Sequence, residues 1–364
     1  MHLNRLRNET GKAEAGQSKS NSGNPGGKRK IYWVIVLIIL FSASLPFILP
    51  RHYLPWRMQS ALLFLQKVSL SNLGVYIGRP DREIKFMAID GLVIIGSLYG
   101  LEIKQMRPAI ILLHGNTPLG RKLAMYKILA EKLSERGYLV LTMDFAGFGE
   151  SDDPFRLGTK EGLDRNKDVD AALKYLKTLT NFDQNRIYVI GHSGGAGAAV
   201  SICRRDSSIK GVILIGPPRR VSERSQDPRD MDYFWERAKR SRMEVYGKEF
   251  PAWYTKEMYI AMHFGGPKKS EKRVGPFSQK VHKPILLIDG ELESDKDKIY
   301  LQKAFNKMSE PKKYITLANS DHYCNTKSLA GFVFYDKKVI AQAVNAIDRW
   351  ISESTKTITP ALSN

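Results

Sequence analysis

The sequence predicts an α/β fold with a mostly parallel central sheet covered by helices on both faces, and three features carry that expectation. From residue 84 to residue 353, apolar runs of strand length alternate with helical patterns. Some runs, such as Ala109–Leu113, are apolar throughout rather than at alternate positions, the pattern of strands buried on both faces. One run, Ile187-Tyr188-Val189-Ile190, leads directly into Gly191-His192-Ser193-Gly194-Gly195 and then into small residues able to open a helix packed closely on that strand.

Taken in order, strands are expected over 84–89 and 92–99, joined by Asp90-Gly91, a dipeptide that supplies the positive φ angles of a tight hairpin. A strand over 109–113 precedes a helix over 119–136 that Gly137 ends, and a strand over 138–143 follows. Next come a helix over 161–179, the strand 187–190 with its turn, and strands over 211–215 and 284–288. A helix near 297–308, a strand over 313–317 and a helix over 336–353 complete the body. Residues 219–283 interrupt this alternation. They carry sixteen Lys and Arg against nine Asp and Glu, with aromatic clusters at Tyr233-Phe234-Trp235 and Trp253-Tyr254. A loop of that length without structure of its own is uncommon in a compact domain, so a helical cap insertion is expected.

Residues 1–30 are rich in Gly, Ser, Asn and Lys and too poor in apolar residues to form a core, which predicts a disordered basic tail. The apolar run 31–49 would reach roughly 29 Å as a helix, about one hydrocarbon thickness, and residues 31–50 are read as a transmembrane anchor. Lys28-Arg29-Lys30 beside it favours a cytoplasmic N-terminus and a folded body on the far side. A signal peptide cleaved near Ser42-Ala43-Ser44 is the rival, and it would yield a secreted protein. Residues 51–81 hold an amphipathic pattern suited to a juxtamembrane segment, lying either at the interface or against the body. The globular domain is then expected over 82–355, with a short tail over 356–364.

Fifty-seven Lys and Arg against 37 Asp and Glu give a net charge of +20. The basic residues are spread along the chain with no nucleic-acid-binding motif, so an anionic membrane surface is the expected partner and nucleic acid is not. Cys203 and Cys324 are too few for a disulfide framework and lack the spacing of a zinc site.

The strand–Gly–His–Ser–Gly–Gly–helix pattern is that of a nucleophile elbow, a strained turn that exposes a serine hydroxyl. A hydroxyl is a weak nucleophile and needs a base within hydrogen-bond reach, itself oriented by a carboxylate. His322, in the loop after the last strand, is the candidate base. His192 adjoins the serine but should point away from it, His2 and His52 lie outside the domain, His263 and His282 belong to the insertion or its exit, and His114 belongs to an earlier motif. The acid is sought in Asp289-Gly290-Glu291-Leu292-Glu293-Ser294-Asp295, where Glu293 is the first choice and Asp295 the alternative. An oxyanion hole would use the backbone N–H of Gly194 and, from the loop after residues 109–113, that of Asn116.

Together these residues resemble the α/β-hydrolase superfamily over roughly residues 82–355. Ile110 to Asn116 resembles its oxyanion strand and loop, Asp144-Phe145-Ala146-Gly147-Phe148-Gly149-Glu150-Ser151-Asp152 its D-x-x-G-x-G-x-S segment, and residues 284–290 the strand leading to its acid. The branch most similar is the serine-aminopeptidase-like and dienelactone-hydrolase-like one. Two departures stand out: Glu293 occupies a position where the family usually carries Asp, and Ser320-Asp321-His322 replaces a frequent Gly-x-His or Gly-His. The resemblance implies an α/β-hydrolase fold and a serine hydrolase acting on esters or thioesters, with no metal and no organic cofactor. A peptidase of the same fold, or a catalytically silent binding protein, are the alternatives.

Overall fold

The computed structural model describes residues 56–102, 105–154, 164–217, 228–250, 254–257, 259, 281–329 and 332–358. The described residues from Leu63 onward form one compact unit. Its strands are β1 (Leu73–Tyr76), β2 (Arg82–Met87), β3 (Val93–Tyr99), β4 (Ala109–Leu113), β5 (Leu139–Met143), β6 (Ile187–His192), β7 (Ile209–Ile215), β8 (Ile285–Gly290), β9 (Lys312–Leu317), β10 (Thr326–Leu329) and β11 (Phe332–Asp336). The helices are α1 (Trp56–Lys67), α2 (Ala124–Ser134), α3 (Arg165–Leu176), α4 (Ala196–Arg205), α5 (Pro228–Tyr246), α6 (Asp295–Asn306) and α7 (Lys337–Ile358).

Eight strands make the central sheet in the order β2-β3-β5-β4-β6-β7-β8-β9. It is parallel from β5 to β9, while β2 and β3 run antiparallel at one edge. The alternating direction of side chains along a strand divides the apolar runs between two cores. Ile111, Leu113, Ile187 and Val189 join one with α3 and α4, whereas Ile110, Leu112, Tyr188 and Ile190 join the other with α2 and α7. All are buried, each such side chain contributing about 1.5–3 kcal/mol, which is why β4 and β6 read as unbroken apolar runs. The Asp90-Gly91 hairpin forms as expected, with Gly91 at φ 83°.

Three strands were not expected from the sequence. β1, β11 and β10 form a separate antiparallel sheet in which Leu73 pairs with Asp336 and Tyr76 with Val333. Their patterns mix exposed and half-buried positions, so periodicity gives them little signal, and β1 joins the body from N-terminal to residue 82. The helix expected over 119–136 begins as a 3-10 turn at Gly120–Lys122 before α2, and the last helix extends to Ile358. Of the helix expected over 161–179, residues 161–163 lie outside the described residues. Between β7 and β8 the described residues include α5, while 218–227, 251–253 and 260–280 lie outside them.

No helix among the described residues is long and apolar enough to cross a membrane. The basic tail, residues 31–50 and the tail from 359 lie outside the described residues.

Candidate active site

β6 ends in a turn at Ser193–Gly195 that passes straight into α4, and Ser193 itself sits at φ 47°. That left-handed conformation is costly for a residue with a side chain and is the strain expected of an elbow. Gly191 makes the turn possible by close approach, because a Cβ there would lie 2.7 Å from both Ala196 Cα and Ala199 Cβ. Ser193 is half-buried. The loop after β4 comes against it, since a Cβ on Gly115 would lie 2.9 Å from Ser193 Cβ.

His322 lies in the loop after β9, and its Nδ1 is 2.9 Å from Glu293 Oε1. Glu293 follows β8 directly, in a turn where its N–H donates to Gly290 O at 3.2 Å, and its side chain is only 10 % exposed. Asp295 is two residues further on, as the first residue of α6 after the N-cap Ser294. Its side chain is 95 % exposed and faces Lys298. The structure therefore brings Glu293, and not Asp295, to His322. A carboxylate only accepts, so His322 holds its proton on Nδ1, leaving the Nε2 lone pair as the basic site. Behind the ring is Gly216 at φ 47°, where a Cβ would come within 3.0 Å of His322 Nδ1.

The histidine loop is tightly folded. Asn319, Cys324 and Asn325 have φ of 55°, 52° and 49°. Asn325 is fully buried, accepting the Asp321 N–H at 3.0 Å and donating to Asn319 O at 2.7 Å. Asp321 Oδ1 in turn accepts the N–H groups of Tyr323 and Asn325, both at 2.9 Å. The aspartate preceding His322 thus shapes the loop. Leu292 N–H donates to Ser320 O at 2.9 Å, tying the acid and histidine loops together.

Asn116 lies against Gly194, the residue after the serine, where an added Cβ would overlap the Asn116 side chain. Arg165, the first residue of α3, donates from Nη1 to Gly194 O at 2.8 Å and from Nη2 to Asn116 Oδ1. Its guanidinium lies over Phe145 and Phe148 at 4.8 and 5.2 Å from the ring centroids, and burial lowers its pKa. No local pattern singles out Arg165, since its reach to Asn116 depends on the order of strands in the sheet.

Two neighbouring histidines are buried and neutral. His114, pushed down to about 3 by burial, donates from Nδ1 to Gly115 O at 2.6 Å and accepts the Phe145 N–H at Nε2 at 3.0 Å. His192 has its Nδ1 2.7 Å from Tyr126 Oη and its Nε2 3.0 Å from His322 O. Asp144 of the D-x-x-G segment forms a buried ion pair with Arg121 and accepts the Glu150 N–H at 2.9 Å, a structural role.

The family described as serine aminopeptidase, S33, matches residues 104–345. The chain is 35% identical over 123 residues to esterase EstD of Thermotoga maritima, covering 32% of this chain and 28% of that protein. It is 28% identical over 131 residues to the lysophosphatidylserine lipase ABHD12 of Bos taurus, covering 34% and 30%. The matches thus span less than a third of the length of these curated relatives. In fold the chain is similar to the Pyrococcus furiosus esterase Pf2001, with a TM-score of 0.51 at 18% identity, covering 75% of this chain and 90% of that one.

Proposed function

The chain belongs to the serine aminopeptidase (S33) family of the α/β-hydrolase superfamily, and from that premise we propose that it is a membrane-anchored serine hydrolase cleaving carboxylic esters or thioesters through an acyl-enzyme on Ser193. The observation that carries this reading is the Glu293–His322 hydrogen bond of 2.9 Å, in a fold whose elbow serine is held at φ 47°. Ser193 Oγ attacks the carbonyl carbon while His322 Nε2 takes its proton, and the resulting imidazolium is stabilised by Glu293. The oxyanion is held by the N–H groups of Asn116 and Gly194. Collapse expels the alcohol or thiol, which receives the proton from His322. Water then attacks the acyl-enzyme with the same histidine as base, releasing the acid and restoring Ser193.

The names of two relatives, an esterase and a lysophosphatidylserine lipase, support an ester substrate, and the second supports a lipid-like one. The apolar run 31–49 supplies the anchor in this reading, with the N-terminus cytoplasmic and the hydrolase on the far side of the membrane. The 219–283 insertion, net +7, would roof the serine and face an anionic interface, its aromatic clusters offering a wall to a medium or long acyl chain. Labelling by a fluorophosphonate, followed by an ester panel graded by chain length with and without anionic vesicles, tests the whole. Absence of labelling would favour a silent binding protein. Faster cleavage of aminoacyl amides than of any ester would favour the peptidase that the family description suggests.

A further inference from the structure

A chain of three hydrogen bonds runs from the loop after β4 through β6 to the histidine loop, with its two linking side chains, Tyr126 and His192, buried. Gly115 N–H donates to Tyr126 Oη at 2.7 Å, Tyr126 Oη is 2.7 Å from His192 Nδ1, and His192 Nε2 is 3.0 Å from the carbonyl oxygen of His322. Tyr126 and His192 are each about 1 % exposed. The direction of every proton is fixed by the two ends. A backbone amide can only donate and a backbone carbonyl can only accept. His192 therefore carries its proton on Nε2 and gives it to His322 O, so its Nδ1 is a lone pair that Tyr126 O–H must fill, and the phenol oxygen is left to accept from Gly115.

The three backbone positions joined in this way are those that hold the reacting groups. Gly115 precedes Asn116, His192 precedes Ser193, and the far carbonyl belongs to His322 itself. We propose that Tyr126 and His192 are positioning residues that lock the oxyanion loop and the histidine loop to the nucleophile elbow, so that one rigid unit sets the geometry of all three. The proposal rests on the reading of Ser193, His322 and Asn116 given above. Ring packing supports it: His192 lies 5.5 Å from Tyr126 and 4.8 Å from His322, centroid to centroid. Burial favours the neutral forms of both side chains, which keeps the pattern intact as the pH changes.

A displacement of about 1 Å in a catalytic constellation costs roughly 10²-fold in rate, whereas substrate held elsewhere is indifferent to it. Tyr126→Phe removes only the hydroxyl and leaves Gly115 N–H without its acceptor. It is expected to lower kcat on the order of 10- to 100-fold at nearly unchanged KM, and to slow fluorophosphonate labelling in proportion. His192→Gln, whose amide can still donate to His322 O, should keep more activity than His192→Leu. Thermal melts identify variants that fail to fold; should Tyr126→Phe be one, the Gln and Leu pair decides. In 15N-histidine spectra of the wild type, His192 should show the Nε2–H form, with a proton slow to exchange. Folded variants with kcat within about twofold of wild type, or an Nδ1–H form for His192, would overturn the proposal. Failure of the wild type to label at Ser193 would instead overturn the reading of the site, because the spectra report the hydrogen-bond chain without any turnover.

Discussion

The serine and the histidine of this site are held by different kinds of structure. Ser193 directly follows β6, which is buried along its whole length between β4 and β7 near the middle of the sheet, with α4 next in the chain. His322 sits in a loop beyond the edge strand β9, shaped by three residues with positive φ and continued into the small sheet formed by β10, β11 and β1. That loop also meets the segment before β1, where Asn319 Nδ2 donates to Lys67 O at 3.3 Å and Lys67 Nζ lies 3.5 Å from Asp321. One half of the site is built by neighbours in sequence and by the core. The other is braced by residues some 250 positions away.

The comparison first requires that both halves matter to turnover. Ser193→Ala is expected to lower kcat by about 10³- to 10⁶-fold and to abolish phosphonate labelling, with the fold intact because the side chain packs into neither core. Activity above about a tenth of wild type in purified Ser193→Ala would sink the mechanism. On the histidine side the orienting carboxylate is next. Glu293→Gln should cost around 10⁴-fold in kcat, whereas Asp295→Asn, at an exposed position beside Lys298, should change it less than about twofold. A large loss confined to Asp295→Asn would transfer the role to that residue.

This asymmetry accounts for what was legible in the sequence. The elbow could be read because a strand, a sharp turn and a helix are all local, and small residues at 191, 194 and 195 mark the close approach. The sheet could be read because burial on both faces leaves unbroken apolar runs. The acidic loop 289–295 offers both Glu293 and Asp295, and no local pattern separates them; the N-cap at Ser294 does, since it starts α6 and leaves Asp295 exposed. β1, β10 and β11 carry no strong period, and their pairing joins residue 73 to residue 336, so no window of sequence contains it. Arg165, Tyr126 and His192 are likewise set by strand order.

The brace on the histidine loop gives a smaller effect with a graded outcome. Asn325→Ala removes the buried amide that accepts from Asp321 and donates to Asn319, leaving both groups short of a partner in a loop already strained. A loss of about 1–3 kcal/mol of stability is expected, with kcat reduced on the order of tenfold as His322 shifts. Lys67→Ala removes only an exposed ion pair with Asp321 and should cost less than about 1 kcal/mol. Equal effects for the two variants, read by urea unfolding and by turnover, would mean that the interior of the loop is no more important than its surface tether.

The nucleophile side, being buried, should show its weakness in pH rather than in contacts. Asp168 on α3 accepts the Ala146 N–H at 2.9 Å, and its carboxyl is pushed up to about 7, chiefly by burial and then by Asp90 against the opposing pull of that hydrogen bond and of Arg165. The folded state therefore binds a proton between about pH 4 and pH 7 that the unfolded chain has already released. Stability contributed at this position falls as pH rises through that window, and the full penalty for the buried charge is present above it. Asp168→Asn keeps an oxygen for the Ala146 N–H and has no proton to lose. It is expected to gain on the order of 1 kcal/mol over wild type at pH 8 and to lose that advantage at pH 4. Urea unfolding at the two pH values checks it: parallel curves for variant and wild type would show that water or Arg165 already neutralises the charge, and that the two sides of the site are equally tolerant of it.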